Sequence, residues 1–443
     1  MRIFLSILAF FSLAGTLRAQ DAPEIPRSYG RSLPGCGLLP YPSEEAATAA
    51  DGGDNRYFTR LAEWTHDGNV FSARFAVPFA WVNRQVEFHL DNATADYEIR
   101  INGRTAAYNA DGNTPADFNI TKYVREGHNE IEVVLSAPSP AAPLESWKKE
   151  AVPAIGAAWL ASRPTLHVRD VVTKTWYGSD EDDTATAEIG IVMKSEALNP
   201  RTSRIHYQLL TPSGEPAAQG YEDITLGMRG EDTVRFLARI PSDLLWSDEL
   251  PTQYILRLKT QHEGRYLEYM EARIGFRTVA FRDGVLSVNG RPAALRVYEV
   301  PSDLPRNTIA ELRELGFNTL KFLPGPVSAE TLDICDTQGM YVIVQAPVDT
   351  RNSGESRRKG GNPSNDPAWR PAYLERISNS YHTTKRHPSV IAFSLAGKSS
   401  NGINLYEGYL QMKRQDETRP FIYLDAEGEW NSDRFTMELT PAE

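Results

Sequence analysis

The chain changes texture at Asn289, and that change limits its fold more than any other feature. Before it, short segments alternate apolar and polar residues; after it, apolar segments alternate with helical ones. Alternation with period two builds half-buried strands, so the first part asks for antiparallel sandwiches. Segments 71–77, 86–90 and 129–135 read this way, and 99–101 runs into Asn102-Gly103, a hairpin turn pair. A Pro/Ala stretch at 137–143 breaks the pattern. A second all-β block follows from Pro164 to Thr278, with strands such as 187–192 and 254–258. Beyond Asn289 come strands at 294–300, 318–322, 340–345, 390–395 and 421–424, separated by helices at 305–315, 328–338, 368–385 and 403–414. That rhythm demands a parallel, barrel-like sheet. A last strand at 435–439 makes six, where a closed barrel of this kind has eight. An open barrel is therefore expected, with strands one and six each lacking a neighbour. Such edges invite a protein partner or exchange between two copies.

A chain of 443 residues is too long for one ordinary domain. The expected division is a signal segment at 1–19, sandwiches at 20–163 and 164–278, and the barrel-like domain at 279–443. Arg2, the apolar run 3–15 and small residues before Gln20 have the pattern of a secretory signal. The protein is thus expected to be exported, whether periplasmic, outer-envelope-associated or secreted. No segment approaches 18 apolar residues, so no transmembrane segment is expected. Lys+Arg total 47 against 58 Asp+Glu, a net charge of −11. Without the first 19 residues, which hold Arg2 and Arg18, the balance is 45 − 58 = −13. That sign argues against nucleic acid or an anionic membrane as partner. Cys36 and Cys335 fall in different domains and are expected to be unpaired thiols, with no Cys-rich zinc site. His382 and His387, five apart, do not share a helical face, so no metal or other cofactor is expected.

Three stretches carry a family resemblance: Val285-Leu286-Ser287-Val288-Asn289-Gly290-Arg291-Pro292; Gly316-Phe317-Asn318-Thr319-Leu320-Lys321 continuing to Cys335-Asp336; and Arg386-His387-Pro388-Ser389-Val390. Together with Ile101-Asn102-Gly103-Arg104 and Phe118-Asn119-Ile120-Thr121, they resemble glycoside hydrolase family 2, the β-galactosidase, β-glucuronidase and β-mannosidase group. The resemblance implies a jelly-roll sugar-binding domain, an immunoglobulin-like sandwich and a TIM barrel, here incomplete.

The departures from that family's pattern bear on function. The family's acid/base is the Glu ending Trp-Ser-Leu-Gly-Asn-Glu; here the stretch reads Phe393-Ser394-Leu395-Ala396-Gly397-Lys398. Its substrate-contacting Arg and His correspond to Lys321 and Pro324, and its Glu-Thr-His to Asp349-Thr350-Arg351. The nucleophilic Glu belongs to a seventh strand, absent from the six counted. Retaining glycosidases need two carboxyls, and lysine, with a reference pKa near 10.4, does not cycle as acid and base at neutral pH.

The resemblance then implies a degenerate, rather basic cleft at the C-terminal strand ends, formed by Tyr298, Lys321, Asp349, Arg351, Lys398, Asp425 and Glu427. The expected function is that of an exported, non-catalytic relative that binds a glycan or serves as a scaffold in a cell-envelope or glycan-utilisation assembly. One alternative is an active glycosidase using relocated carboxylates (Asp425, Glu427, Glu429, Glu438) or a partner chain. A second is a purely structural interaction protein. Trp64, Trp81, Tyr97 and Tyr108 could stack on sugars, but burial is their expected fate.

Overall fold

The computed structural model describes residues 25–441 apart from 26, 36, 50–54, 150–151, 179–182 and 427. The expected signal segment, Cys36 and Glu427 therefore lie outside the described residues.

The first sandwich has a five-stranded and a four-stranded antiparallel sheet. Strand Val70–Val77 shows how the sequence sets it: every second residue, Phe71, Ala73, Phe75 and Val77, is buried. Asn102 and Gly103 take φ of 51° and 75°, the left-handed pair that a tight hairpin between Tyr97–Ile101 and Arg104–Asn109 requires. Trp81 and Tyr97 are buried in this core, and Trp64 packs against it. Tyr108 donates from its hydroxyl to Asp96 Oδ2 (2.5 Å). Strand Ala158–Arg163, beyond the Pro/Ala break, completes the smaller sheet between Phe58–Arg60 and Gln85–Leu90. The second sandwich packs three strands (Leu166–Tyr177, Thr184–Ser195, Glu231–Pro241) on four (Pro216–Leu226, Arg201–Leu210, Tyr254–His262, Arg265–Ile274). A short helix, α1 (Glu44–Ala49), lies against the last of these.

The third domain is a six-stranded, fully parallel half-barrel. Its first five strands are Arg296–Val300, Thr319–Phe322, Tyr341–Gln345, Val390–Ser394 and Phe421–Ile422. The sixth, Glu438–Thr440, lies beside the first, with Tyr298 opposite Thr440. This corrects the expectation for the edges: strand one is flanked on both sides, and the outer strands are five and six. The exposed edge of strand five is also occupied by its own chain. Phe421 N donates to Asp433 Oδ2 (2.8 Å), Asp433 N donates to Phe421 O (2.9 Å), and Tyr423 N donates to Ser432 Oγ (2.8 Å).

Helices α2 (Arg306–Glu314), α3 (Ala329–Gln338), α4 (Arg370–Thr384) and α5 (Ile403–Gln415) cover one face of this sheet through Leu320, Phe322, Val342, Val344 and Phe421. Helix α3 starts where Ser328 Oγ accepts from Thr331 N and stops at Gly339, φ 70°. The opposite face packs Val297, Ile343, Ala392 and Ile422 on Val279, Leu286 and Val288 of a small three-stranded sheet. Burying each Val or Ile side chain contributes about 1.5–3 kcal/mol. No helix among the described residues is long and apolar enough to cross a membrane.

Candidate functional site

Parallel barrels present their chemistry at the C-terminal strand ends, and here the inward residues of that layer are Glu299, Lys321, Gln345 and Ser394. Lys321, 3% exposed, reaches Glu299 Oε1 at 2.8 Å and donates to Gln345 Oε1 at 3.1 Å. Gln345 Nε2 is buried with no protein partner. Strand alternation puts Val297 and Glu299 on this inner side and turns Tyr298 outward, where its ring meets Phe317 edge-on at 5.0 Å. Tyr298 therefore does not line the cleft. Glu299 does, and the period-two pattern running from Val297 was the signal for it.

After strand three, Asp349 is wholly buried and its carboxylate is gripped by Arg351. The guanidinium Nε donates to Oδ1 and Oδ2 (3.0 and 2.9 Å), Nη2 bonds Oδ2, and Arg351 N donates to Oδ1 (3.1 Å). These hydrogen bonds hold the Arg351 pKa above its usual value. The first sandwich reaches in at the same point. Asp349 N donates to Leu144 O (2.8 Å), Ser146 N donates to Asp349 O (2.9 Å), and Asn352 N donates to Ser146 Oγ (3.1 Å). Beneath it, Arg376 of α4, 1% exposed, pairs with Glu145 (2.8 Å) and donates to Ala110 O and Pro347 O. Burial alone would raise the Glu145 pKa, but Arg376 and Lys148 outweigh it and lower it.

After strand four, the chain folds tightly onto this layer. Gly397 N donates to Val348 O (2.7 Å), and Thr350 N donates to Lys398 O (3.0 Å). A Cβ on residue 397 would stand 3.1 Å from each of Asp349 Oδ2, Gln345 Nε2 and Pro324 Cγ, so any larger residue would require these side chains to shift by a few tenths of an ångström. The Lys398 side chain is exposed. Asp425 is exposed on the turn Leu424–Ala426 and acts electrostatically on Arg351. Glu429 pairs with Arg357 (2.5 Å) and accepts from Asn401 Nδ2 (3.1 Å). Glu438 is at the other end of the sheet, opposite Arg296, and cannot join Asp425.

The strand ends thus gather Lys321, Asp349, Arg351 and Asp425, but not as a basic cleft. Lys321 is neutralised by Glu299 and Arg351 by Asp349, and Lys398 is exposed on the loop that follows strand four. Among the described residues, the carboxylate packed against the fourth strand's end is Asp349, and both its oxygens are taken by Arg351.

Two further clusters bear on stability or metals. Asp333, Asp336 and His387 bring ligand atoms within 4.8 Å of one another. Asp336 already accepts from Ser389 N (3.0 Å) and bonds His387 Nδ1 (2.7 Å), so these groups tie α3 to the turn before strand four. In the first sandwich, His89 lies between Asp117 (2.7 Å) and Asp91 (3.0 Å) and stacks on Trp159 at 3.7 Å. Burial draws the His89 pKa down, but the two carboxylates outweigh it and hold it at about 9.

Comparison with known proteins agrees with this architecture. The family model "Glycosyl hydrolases family 2, sugar binding domain" matches residues 61–148, "Glycosyl hydrolases family 2" matches 166–277, and "Glycosyl hydrolases family 2, TIM barrel domain" matches 286–440. The β-galactosidase of Pectobacterium atrosepticum is 28% identical over 80% of this chain, and that of Priestia megaterium is 25% identical over 77%. In each case the match spans 35% of the relative's length. Bacteroides uniformis β-glucuronidase superposes with a TM-score of 0.66 at 18% identity, over 80% of this chain and 46% of that one. A β-glycosidase from Bacteroides vulgatus does so at 0.66 and 17%, over 88% and 49%. Three models of one family, matched in chain order onto the two sandwiches and the half-barrel, place the chain in glycosyl hydrolase family 2.

Proposed function

We propose that this chain binds carbohydrate without hydrolysing it, as an exported member of its family working in a cell-envelope or glycan-utilisation assembly. The observation that carries the proposal is the strand-four end. Where the family pattern has Asn-Glu, Gly397 is packed onto Pro324, Gln345 and Asp349, and the next residue is Lys398, exposed to solvent. A glycoside's leaving oxygen needs a proton donor at that point, and an oxocarbenium-like transition state needs a carboxylate across from it. Lysine, with a reference pKa near 10.4, is a poor match for that acid/base role at neutral pH and supplies no carboxylate, and Asp349 is bound up by Arg351. Sugar binding is supported by the first sandwich, whose residues 61–148 match the family's sugar-binding model. Export is supported by Arg2 and the apolar run 3–15. Ser432 and Asp433 take up backbone groups of strand five, so a protein partner or second copy would pair at the Glu438–Thr440 strand instead.

The test has two arms. Incubated with 4-nitrophenyl β-galactoside, β-glucuronide and β-mannoside, the chain is expected to release nitrophenol only at the rate of buffer. On a glycan array it is expected to retain carbohydrate. Release of nitrophenol abolished by Asp425→Asn would overturn the non-hydrolytic half, and a blank array would overturn the binding half.

A further inference from the structure

The outward face of the four-stranded sheet in the second sandwich carries a row of side chains that the strand register sets side by side. His206 stands opposite Tyr221 on one side and Lys259 on the other, and Lys259 stands opposite Tyr269. The next row along the strands is Gln219, Gln208, Arg257 and Glu271. At the usual inter-strand spacing each four-strand row spans about 14 Å. Tyr266 joins the aromatic group, with ring centroids 5.7 Å from both His206 and Tyr269, while His206 lies 5.7 Å from Tyr221. Helix α1 walls one side, its Thr48 donating to Glu271 Oε2 (3.0 Å). The result is a groove of about 500 Å³.

Its chemistry is specific. Tyr221 is 56% exposed on a sheet whose other face is core; Arg204, bonded to Asp223, lies over its ring at 4.3 Å, so the ring offers one face to a ligand. Four charged groups line the groove, Arg257 and Lys259 against Glu44 and Glu271, and their formal charges cancel. Arg257 is held by Glu271 (2.9 Å) and by Glu44 (3.8 Å). Lys259 lies over the Tyr266 ring at 5.0 Å. The Gln208 and Gln219 amides each offer two donors and an acceptor on the groove floor. Rings for a flat C–H face, amides for hydroxyls and no net charge fit a pyranose. A nucleotide or acidic ligand would meet no excess of positive charge. The volume suits one or two sugar rings, whereas a protein partner commonly covers about 800 Å².

The geometry points to this groove as a binding site for a neutral oligosaccharide, which rests on the carbohydrate-binding reading above and gives it a location away from the barrel mouth. Tyr221 beside His206 forms a stacking platform at one end of the row and Tyr269 beside Tyr266 a second at the other, and Gln219 and Gln208, in the next row, bond the hydroxyls of the ring seated on Tyr221.

The test is calorimetric titration of the full chain with lactose, cellobiose and mannobiose, and with glucuronic acid as the charged control. Wild type is expected to bind at least one disaccharide and not the acid. Tyr221→Ala and Tyr269→Ala are each expected to weaken that binding at least tenfold. Gln219→Ala, a truncation of an exposed side chain, is expected to weaken it about threefold and serves if Tyr269→Ala disturbs the backbone pairing of Tyr269 with Tyr41. Unchanged affinity in Tyr221→Ala and Gln219→Ala would overturn the groove and leave carbohydrate binding standing. Binding of none of the disaccharides by a chain that retains other glycans on an array would overturn the ligand class. No binding in either assay would take both readings down. Tyrosine fluorescence that shifts with protein concentration in the absence of sugar, and does not shift in Tyr221→Ala, would assign the face to self-association and overturn the proposal.

Discussion

Lys321 and Glu299 meet inside the half-barrel, Nζ 2.8 Å from Oε1, on strands one and two where both side chains are largely withdrawn from water. A buried pair of this kind is costly to break and cheap to replace whole. Lys321→Ala should lower unfolding free energy by about 3–5 kcal/mol, leaving Glu299 and Gln345 without their donor. Lys321→Met combined with Glu299→Leu should come within about 1–2 kcal/mol of wild type. Urea unfolding of the three proteins checks both, and a mild effect of Lys321→Ala alone would show that water already reaches the pair.

Rebuilding the family's dipeptide should fail. Gly397→Asn with Lys398→Glu puts a Cβ 3.1 Å from three heavy atoms of Asp349, Gln345 and Pro324. Overpacking should cost about 1–3 kcal/mol, and nitrophenyl glycoside turnover should stay at background. A tenfold rise in turnover would show that the mouth still admits a sugar.

His89 should make stability depend on alkaline pH. Its folded pKa, about 9, is above the ordinary value near 6.5. The stabilisation is then complete below pH 6.5 and disappears as pH rises through 9. The shift corresponds to about 3 kcal/mol. Melting curves of wild type and His89→Gln should differ most at pH 6 and converge by pH 10; a constant gap across that range would remove the Asp117 and Asp91 carboxylates as its cause.

Asp433 should guard the edge of strand five. Its carboxylate accepts from Phe421 N (2.8 Å), Tyr409 Oη (2.8 Å) and Lys413 Nζ (3.2 Å). Asp433→Ala should destabilise by about 1–3 kcal/mol, speed amide exchange at Phe421 and promote association through the freed edge. Light scattering that shows wild type and variant equally monomeric would mean that Tyr423–Ser432 contacts suffice.

What the sequence made legible follows from the range of the interactions. Period-two and period-3.6 patterns are local, and strands such as 318–322 and 340–345 emerged within a residue or two of Thr319–Phe322 and Tyr341–Gln345. Lys321, Asp349 and Arg351 also came together at the strand ends. Their charge balance was not legible, because Glu299 is 22 residues from Lys321 and only the folded sheet makes them partners. The family resemblance implies Tyr298 in the cleft, whereas alternation along its own strand turns it outward onto Phe317. The place of strand six beside strand one depends on register across the whole domain, which no local pattern encodes.

That last pairing has a consequence during synthesis. Tyr298 waits for Thr440, 440 − 298 = 142 residues later. At about 5–20 residues per second, that is about 7–28 s in which strand one has one flank bare on the ribosome. Nascent-chain handling by a holdase, and sensitivity of yield to translation speed, should therefore centre on strand one and not on the sandwiches that are already folded upstream of it.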